Sequence, residues 1–150
     1  MTSLKRILLA EDSPQDVEMT LHAMAKNHLA NEVVVVPNGV EALDYLFRRG
    51  KFSERPEGNP VVAMLDLKMP KLDGLEVLRQ MKAHPDLKRI PVVIMTGSRE
   101  ESDLVKSYDL GVNAFVVKPV DFKQFVDSVQ NLSCFWGLIN EPPPGSASAG

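Results

Sequence analysis

Short apolar runs recur along this chain, and four of them end at polar residues that can carry chemistry. The runs are RILLA before Glu11 and Asp12, VVAML before Asp66, PVVIM before Thr96 and AFVV before Lys118. Short runs of this kind, rich in valine and isoleucine, are typical of buried β-strands. If the strands are parallel, their carboxyl ends lie along one edge of a sheet, where open α/β sheets bind ligands. The pattern therefore predicts that these polar side chains gather in one site.

A fifth, valine-rich run and five amphipathic segments complete the pattern. The predicted strands are Arg6–Ala10, Glu32–Val36, Val61–Leu65, Pro91–Met95 and Ala114–Val117. The predicted helices begin at Pro14, after Asn38, at Gly74, near Glu100 and at Asp121, and the third and fourth end at His84 and near Leu110. We expect the second strand to be buried, and Val40, Leu43 and Phe47 to face the core from the second helix because they recur at helical spacing. The segment Gly50–Pro60 is predicted to be a charged loop.

Strands that alternate with helices indicate parallel strands joined by right-handed crossovers. The third and fourth runs are apolar almost throughout, which indicates that helices cover both faces of the sheet. We therefore predict one α/β, doubly wound domain over residues 1–140. The segment 141–150, EPPPGSASAG, has few apolar residues and is expected to be disordered. The pattern alone leaves the order of the strands open.

Composition narrows the classes of function. The chain has 150 residues, of which 44% are hydrophobic and 25% charged, as is ordinary for a globular protein. Its net charge of −3 argues against a general nucleic-acid binder, and its single cysteine excludes an internal disulfide framework. No apolar run approaches the roughly 18 residues of a membrane span. The start of the chain, MTSLKRILLAEDS, has too few apolar residues for a signal peptide, so we expect a cytoplasmic location and no membrane partner.

Taken together, the polar residues at the strand ends resemble those of the receiver domain of two-component response regulators. The resemblance covers about residues 5–132. The matching positions are the acidic pair Glu11–Asp12, the phospho-accepting Asp66, the hydroxyl residue Thr96, the aromatic residue Phe115 and Lys118 in a Lys-Pro step. The resemblance implies a flavodoxin-like, five-stranded sheet of order 2-1-3-4-5. It also implies a single-domain response regulator that accepts a phosphoryl group from a histidine kinase and is not otherwise an enzyme.

The acidic residues indicate a divalent cation as cofactor. Two adjacent carboxylates repel each other unless a cation neutralises them, and Mg²⁺ prefers oxygen ligands while keeping several waters. By resemblance, Asp12 and Asp66 ligate Mg²⁺ directly, Glu11 acts through water, and the backbone carbonyl of Lys68 completes the protein's share. Glu11 departs from the aspartate that the family often has here, and its longer side chain leaves its contact open.

The remaining matched positions imply a conformational switch. Lys118 would place a positive charge beside the phosphoryl oxygens. Thr96 would donate a hydrogen bond to the phosphorylated Asp66, and Phe115 would turn into the space that the moving loop vacates. A plain core role for Phe115 is the competing interpretation. Because the family's Lys-Pro bond is usually cis, we expect a cis bond between Lys118 and Pro119.

Two aromatic residues, Phe135 and Trp136, lie beyond the usual end of the receiver fold. Exposed aromatic residues at a terminus indicate an interface; the alternative is that they fold back over the domain. Together with the long loop before the third strand and the DLKRIPVVIMT run, they resemble the receivers paired with phytochrome-type histidine kinases. That resemblance implies such a kinase as partner and a homodimer formed through the region from helix 4 to the C-terminal arm.

Two other classes of protein compete with this interpretation. A pseudo-receiver binds its partners independently of phosphorylation, but such domains have usually lost at least one reactive residue and this chain retains all of them. A haloacid-dehalogenase-type phosphatase also uses an aspartate nucleophile and Mg²⁺, but it needs a second aspartate two positions later, where this chain has Lys68. Labelling by a small phosphodonor in the presence of Mg²⁺ separates a receiver from a pseudo-receiver.

Overall fold

Strands and helices alternate in the computed structural model, which describes residues 6–26, 32–106 and 111–129. The strands are β1 Arg6–Ala10, β2 Glu32–Val36, β3 Val62–Asp66, β4 Val92–Thr96 and β5 Ala114–Val117. The helices are α1 Pro14–Lys26, α2 Gly39–Phe47, α3 Gly74–Lys82, α4 Arg99–Lys106 and α5 Phe122–Val129, with short 3₁₀ helices at Gly50–Phe52 and Leu87–Arg89. This alternation is what the apolar pattern predicts.

The strands form one parallel sheet in the order β2-β1-β3-β4-β5. This order confirms the flavodoxin-like fold that the resemblance implied. From β1 the chain adds β2 on one side of the sheet and then β3 on the other, so a crevice opens beyond the carboxyl ends of β1 and β3. Ala10 lies opposite Leu65, and Asp66 lies opposite Met95, so the ends of β1, β3 and β4 are nearly level.

The sheet is covered on both faces, because alternate residues of a strand point to opposite faces. Leu8 of β1 packs in one cluster with Leu78 of α3. Its neighbour Ile7 packs in a second cluster with Met24 of α1 and Phe125 of α5. Burying each such side chain contributes about 1.5–3 kcal/mol. The buried strands therefore give a firm support to the loops at their carboxyl ends.

The five helices begin at side chains that cap them. These caps are Ser13, Asn38, Asp73, Ser98 and Asp121, and each accepts a hydrogen bond from the backbone N–H three residues later, at 3.3, 2.9, 2.9, 3.2 and 2.7 Å. Such caps satisfy N–H groups that have no partner within the helix and contribute about 1 kcal/mol each. The caps fix where the helices leave the carboxyl edge of the sheet, and that edge carries the loops of the candidate site.

The prediction that β2 is buried was wrong. Of its residues only Val36 is buried, while Glu32 is exposed and Val35 is 39% exposed. The reason is its position at the edge of the sheet, with a neighbouring strand on one side only. The prediction that Val40 faces the core was also wrong, since its side chain is 40% exposed.

Several predicted boundaries shift by one or two residues. β3 and β4 begin and end one residue later than predicted, so Asp66 and Thr96 are the last residues of their strands. α3 ends at Lys82 rather than His84, and the predicted loop Gly50–Pro60 contains a 3₁₀ helix.

The predicted interface residues Phe135 and Trp136 and the segment 141–150 lie outside the described residues. Within the parts of the chain that the structure describes, no helix combines the length and the apolar character needed to span a bilayer.

Candidate functional site

Three carboxylates meet at the carboxyl edge of the sheet. Glu11 and Asp12 follow β1, Asp66 ends β3, and one ligand oxygen from each lies within 4.8 Å of the other two. Glu11 and Asp66 are buried, whereas Asp12 is exposed. Carboxylates at this distance repel each other unless a proton or a cation intervenes. The cluster therefore has the charge and the oxygen donors that suit a divalent cation.

Lys118, directly after β5, supplies the positive charge of the site. Its Nζ lies 3.1 Å from Asp66 Oδ2, 3.2 Å from Glu11 Oε1 and 3.1 Å from Asp16 Oδ2. An ammonium group has three N–H donors, so these three carboxylates can satisfy all of them. The backbone of Lys118 is held by a 2.7 Å hydrogen bond from its N–H to the carbonyl of Thr96. The following bond to Pro119 is cis, as the resemblance implied.

Burial shapes the protonation of this cluster. Burial raises the pKa of Glu11 to about 7, and the contact with Asp66 adds to the rise, while the hydrogen bond from the Ser13 backbone opposes it. Burial alone would lower the pKa of Lys118, but the hydrogen bonds to Asp66 and Asp16 outweigh it and raise that pKa above its usual value. Lys118 therefore stays charged near neutral pH, whereas Glu11 changes its charge there.

The loop after β3 holds Asp66 through its backbone. Leu67 N–H donates to the carbonyl of Met95 at 2.9 Å, and Gly74 N–H donates to the carbonyl of Leu67 at 3.1 Å. Gly74, the first residue of α3, approaches so closely that an added Cβ would lie 2.4 Å from the backbone oxygen of Asp66. Only glycine fits this contact, which seats α3 directly against the residue that ends β3.

The loop after β4 is held in its conformation by its own hydrogen bonds. Thr96 is fully buried, and its Oγ1 donates to the carbonyl of Ser98 at 2.9 Å. Gly97 N–H donates to Glu101 Oε1 at 3.1 Å. Glu101 also pairs with Lys68, whose Nζ lies 3.1 Å from Oε2. The hydroxyl of Thr96 thus donates to the carbonyl of its own loop.

Phe115 lies on β5, next to the strand that leads into the β4–α4 loop. It pairs in register with Ile94, two residues before Thr96, and packs against the same cluster as Ile94. Because alternate residues of a strand share a face, Thr96 and Phe115 project from the same side of the sheet. Phe115 is half-buried, so it differs from the fully buried residues around it.

A pocket of about 290 Å³ opens over these groups. It is lined by the acidic cluster and Lys118, and by Ser13, Lys68, Gly97 and Glu101 at its sides. The Lys68 side chain is 82% exposed, so its ammonium lies at the rim. Of the predicted reactive residues, the structure thus brings together Glu11, Asp12, Asp66 and Lys118, with Thr96 and Phe115 on the adjoining strands.

Sequence reasoning missed Asp16 and Glu101. Both lie in the first turn of a helix rather than at the end of a strand, and the search for strand-end residues passed over them. A signal was available for Asp16, because it lies in the first turn of a helix predicted to begin directly after the acidic pair, and that turn stays near the carboxyl end of β1. No comparable signal pointed to Glu101, whose contact depends on the conformation of the β4–α4 loop.

Comparison with known proteins agrees with this geometry. The family model described as the response regulator receiver domain matches residues 7–130. Response regulator Rcp1 of Synechocystis sp. (strain ATCC 27184 / PCC 6803 / Kazusa) is 38% identical over 132 residues, which are 88% of each chain. The chain belongs to the response regulator receiver family.

Solved structures give the same result. The bacteriophytochrome response regulator AtBRR is 58% identical, with a TM-score of 0.87 over 93% of this chain and 100% of its own. The phosphorylated cyanobacterial phytochrome response regulator RcpA is 39% identical, with a TM-score of 0.71 over 89% of this chain and 94% of its own. A Mn²⁺-bound form of response regulator Rcp1 is 37% identical, with a TM-score of 0.71 over 93% and 99% of the two chains.

The protein is therefore a phosphoryl-accepting response regulator with a flavodoxin-like receiver fold. Receiver domains pair with histidine kinases, bind a divalent cation at an acidic site and are generally not enzymes in their own right. The acidic cluster of Glu11, Asp12 and Asp66 agrees with such a cation site.

Proposed function

We propose that Asp66 is the residue that accepts the phosphoryl group. The observation that carries this proposal is the position of its carboxylate, buried at the end of β3 and 3.1 Å from the ammonium of Lys118 at the base of a solvent-connected pocket. A carboxylate so placed can attack phosphorus that already carries a good leaving group.

The reaction needs little from the protein beyond position and charge. An oxygen of Asp66 attacks the phosphorus of a phosphohistidine on the kinase. The new P–O bond forms as the P–N bond breaks, and the imidazole leaves after taking up a proton from solvent. Lys118 lies where its charge can stabilise the phosphoryl oxygens, and phosphoryl transfer depends mainly on such positioning and neutralisation. The chemistry is self-catalysed on Asp66 and turns over no separate substrate.

The acidic cluster fits Mg²⁺ because its donors are carboxylate oxygens on an open surface. Asp12, Asp66 and the backbone carbonyl of Lys68 would hold the cation, and Glu11 would assist through water. When bound, the cation neutralises the negative charge of the carboxylates and of the incoming phosphoryl group.

Phosphorylation would act on the protein through Thr96. Its hydroxyl would exchange the Ser98 carbonyl for a phosphoryl oxygen, which would release the hydrogen bond that now holds the β4–α4 loop. Phe115 would then turn toward the space left on the same face of the sheet. The 3.1 Å bond from Gly97 N–H to Glu101 is a second contact that this movement would break. Such a local change of charge biases an element that has two positions.

The proposed partner is a phytochrome-type histidine kinase, because solved relatives at 58% and 39% identity are response regulators of phytochromes and bacteriophytochromes. A cytoplasmic location belongs to the same proposal, since kinases of this class use ATP. The homodimer through Phe135 and Trp136 also remains a proposal.

Phosphorylation of two variants, each with one aspartate replaced by asparagine, tests the function. Purified protein is incubated with Mg²⁺ and acetyl phosphate, and the hydroxylamine-sensitive phosphate label is followed with time. We expect the wild type to take up one phosphoryl group and Asp66→Asn to take up none. Asp73→Asn is the matched control: the same change in an exposed helix cap of the same loop, where asparagine caps equally well.

Two results would contradict the proposal. A wild type that takes up no label would favour the pseudo-receiver, in which the fold binds partners without phosphorylation. Labelling of Asp66→Asn at the wild-type rate would place the phosphoryl group on another residue.

A further inference from the structure

Asp16 lies beside Lys118, and the reaction described above gives it no role. Its Oδ2 is 3.1 Å from Lys118 Nζ, the same distance as Asp66 Oδ2 on the inner side. The side chain of Asp16 is 30% exposed, against 5% for Asp66 and 2% for Glu11. Lys118 is thus held between two inner carboxylates and one outer carboxylate.

The first turn of α1 fixes where Asp16 stands. Ser13 Oγ accepts a hydrogen bond from Asp16 N–H at 3.3 Å, and the Ser13 carbonyl accepts one from Val17 N–H at 3.0 Å. Ser13 N–H in turn donates to Glu11 Oε2 at 3.1 Å. The turn that carries Asp16 is therefore linked to the buried Glu11 through Ser13. These hydrogen bonds fix the backbone of Asp16 at a position from which its carboxylate reaches Lys118.

The three partners of Lys118 differ in what the reaction asks of them. Asp66 is the group that gains the phosphoryl group, and the negative charge beside Lys118 then lies on the phosphoryl oxygens. Glu11 belongs to the acidic cluster that suits a cation, whereas Asp16 stands outside that cluster. Of these three carboxylates, Asp16 is the one that neither accepts the phosphoryl group nor belongs to the proposed cation site.

We propose that the Asp16 carboxylate is a positioning residue, which holds the Lys118 ammonium beside Asp66 while the phosphoryl group is transferred. Lysine carries its charge on a flexible four-carbon stem, so a fixed outer partner limits where the ammonium can go while its inner contact passes from the Asp66 carboxylate to the phosphoryl oxygens. The inference rests on the proposed role of Asp66. It differs from a structural role at the helix N-terminus, where an acidic side chain would affect stability but not transfer.

Two variants of α1, each of which removes one negative charge, test the inference. Asp16→Asn is compared with Glu18→Gln, which removes the same charge from an exposed residue of α1. The label from acetyl phosphate is followed at saturating Mg²⁺, and Mg²⁺ affinity is measured by calorimetry. We expect the labelling rate of Asp16→Asn to fall about tenfold, with unchanged Mg²⁺ affinity. This is less than the roughly 100-fold loss that a misplacement of about 1 Å can cause, because Glu11 and Asp66 still hold Lys118. Glu18→Gln should match the wild type in both, and Asp16→Glu, which restores a carboxylate, should give an intermediate rate.

A double-variant cycle shows whether Asp16 acts through Lys118. In a Lys118→Ala background, Asp16→Asn should cause no further loss, because residues that act as a unit are not additive. An equal loss in both backgrounds, or a wild-type rate for Asp16→Asn, would overturn the inference. If Asp16→Asn does not fold, Asp16→Ala carries the same test, and a wild-type rate for Asp16→Ala would overturn the inference. A wild type that takes up no label at all would instead contradict the role of Asp66.

Discussion

At the scale of single residues, the burial of Glu11 should make Mg²⁺ affinity depend on pH. Burial raises its pKa to about 7, so it is largely protonated below that pH and ionised above it. A cation in the proposed site would bind the ionised cluster, and its binding would have to expel this proton at low pH. We expect Mg²⁺ affinity, measured by calorimetry, to weaken as the pH falls from 8 to 6, approaching about tenfold per pH unit below the pKa for one proton.

Two variants separate Glu11 from the other groups. Glu11→Gln cannot ionise, so its Mg²⁺ affinity should be weaker than that of the wild type and nearly flat between pH 6 and 8. Glu54→Gln removes an exposed acid from the loop after α2 and should keep the wild-type slope. A wild-type affinity that does not change with pH would mean that Glu11 is already ionised or stands apart from the cation.

The reactive residues at strand ends were the most predictable part of the site. An apolar run has a visible boundary, and the first polar residue after it must lie at the sheet edge in a parallel fold. Asp16 and Glu101 were not predictable in this way. Their contacts depend on how a helix turns and how a loop folds, and neither property is set by the apolar pattern.

At the scale of elements, the contact between α3 and β3 sets the position of Asp66. Gly74→Ala would place a methyl group 2.4 Å from the backbone oxygen of Asp66. Backbone cannot move aside as a flexible side chain can, so we expect a loss of unfolding free energy of about 1–3 kcal/mol, as for overpacked sites. The measurement is the urea midpoint with an unchanged slope.

Gly97→Ala is the matched control for that change. Its added methyl would meet Glu101 Oε1 at 3.0 Å, the far end of a flexible side chain, so its urea midpoint should move less. Equal midpoints for Gly74→Ala and the wild type would show that α3 can shift away from β3 without cost.

The elements themselves were predicted well, and the failures have a physical cause. β1 and β5 have the predicted bounds, because an abrupt change from apolar to polar residues marks each end. β2 was predicted to be buried because it contains four consecutive valines. An apolar run shows that a segment can be buried, but the number of neighbouring strands depends on topology, which places β2 at the edge.

At the scale of the whole molecule, the strand order came from the resemblance and not from the apolar pattern. Any parallel α/β sheet alternates strands and helices in the same way, and the order depends on which crossovers the loops permit. The order matters for function, because it places β1 and β3 side by side and so brings Glu11 and Asp12 to Asp66.

The whole-molecule prediction concerns self-association. We expect a homodimer through the region from α4 to the C-terminal arm, which includes Phe135 and Trp136. On α4, Leu104 is 58% exposed, the largest exposure among the large apolar side chains noted in the described parts of the chain. A two-fold interface uses the same patch on both subunits, so each apolar side chain is buried twice. Since burial contributes about 1.5–3 kcal/mol per side chain and four side chains are involved, the double variant Phe135→Ala, Trp136→Ala should weaken dimerisation on the order of 10⁴-fold or more.

Sedimentation equilibrium over a range of concentrations, with and without acetyl phosphate, measures this effect. Met19→Ala is the control, because Met19 is 48% exposed on α1 and lies outside the proposed region; it should leave the dimer unchanged. A wild type that stays monomeric in both states would rule out the dimer. A double variant that associates as tightly as the wild type would move the interface away from the two aromatic residues, and weakening by Met19→Ala would move it to α1. Because β5 borders the proposed region and carries Phe115, a phosphorylation-dependent change in the wild type that is absent in Thr96→Val would connect the site to the interface.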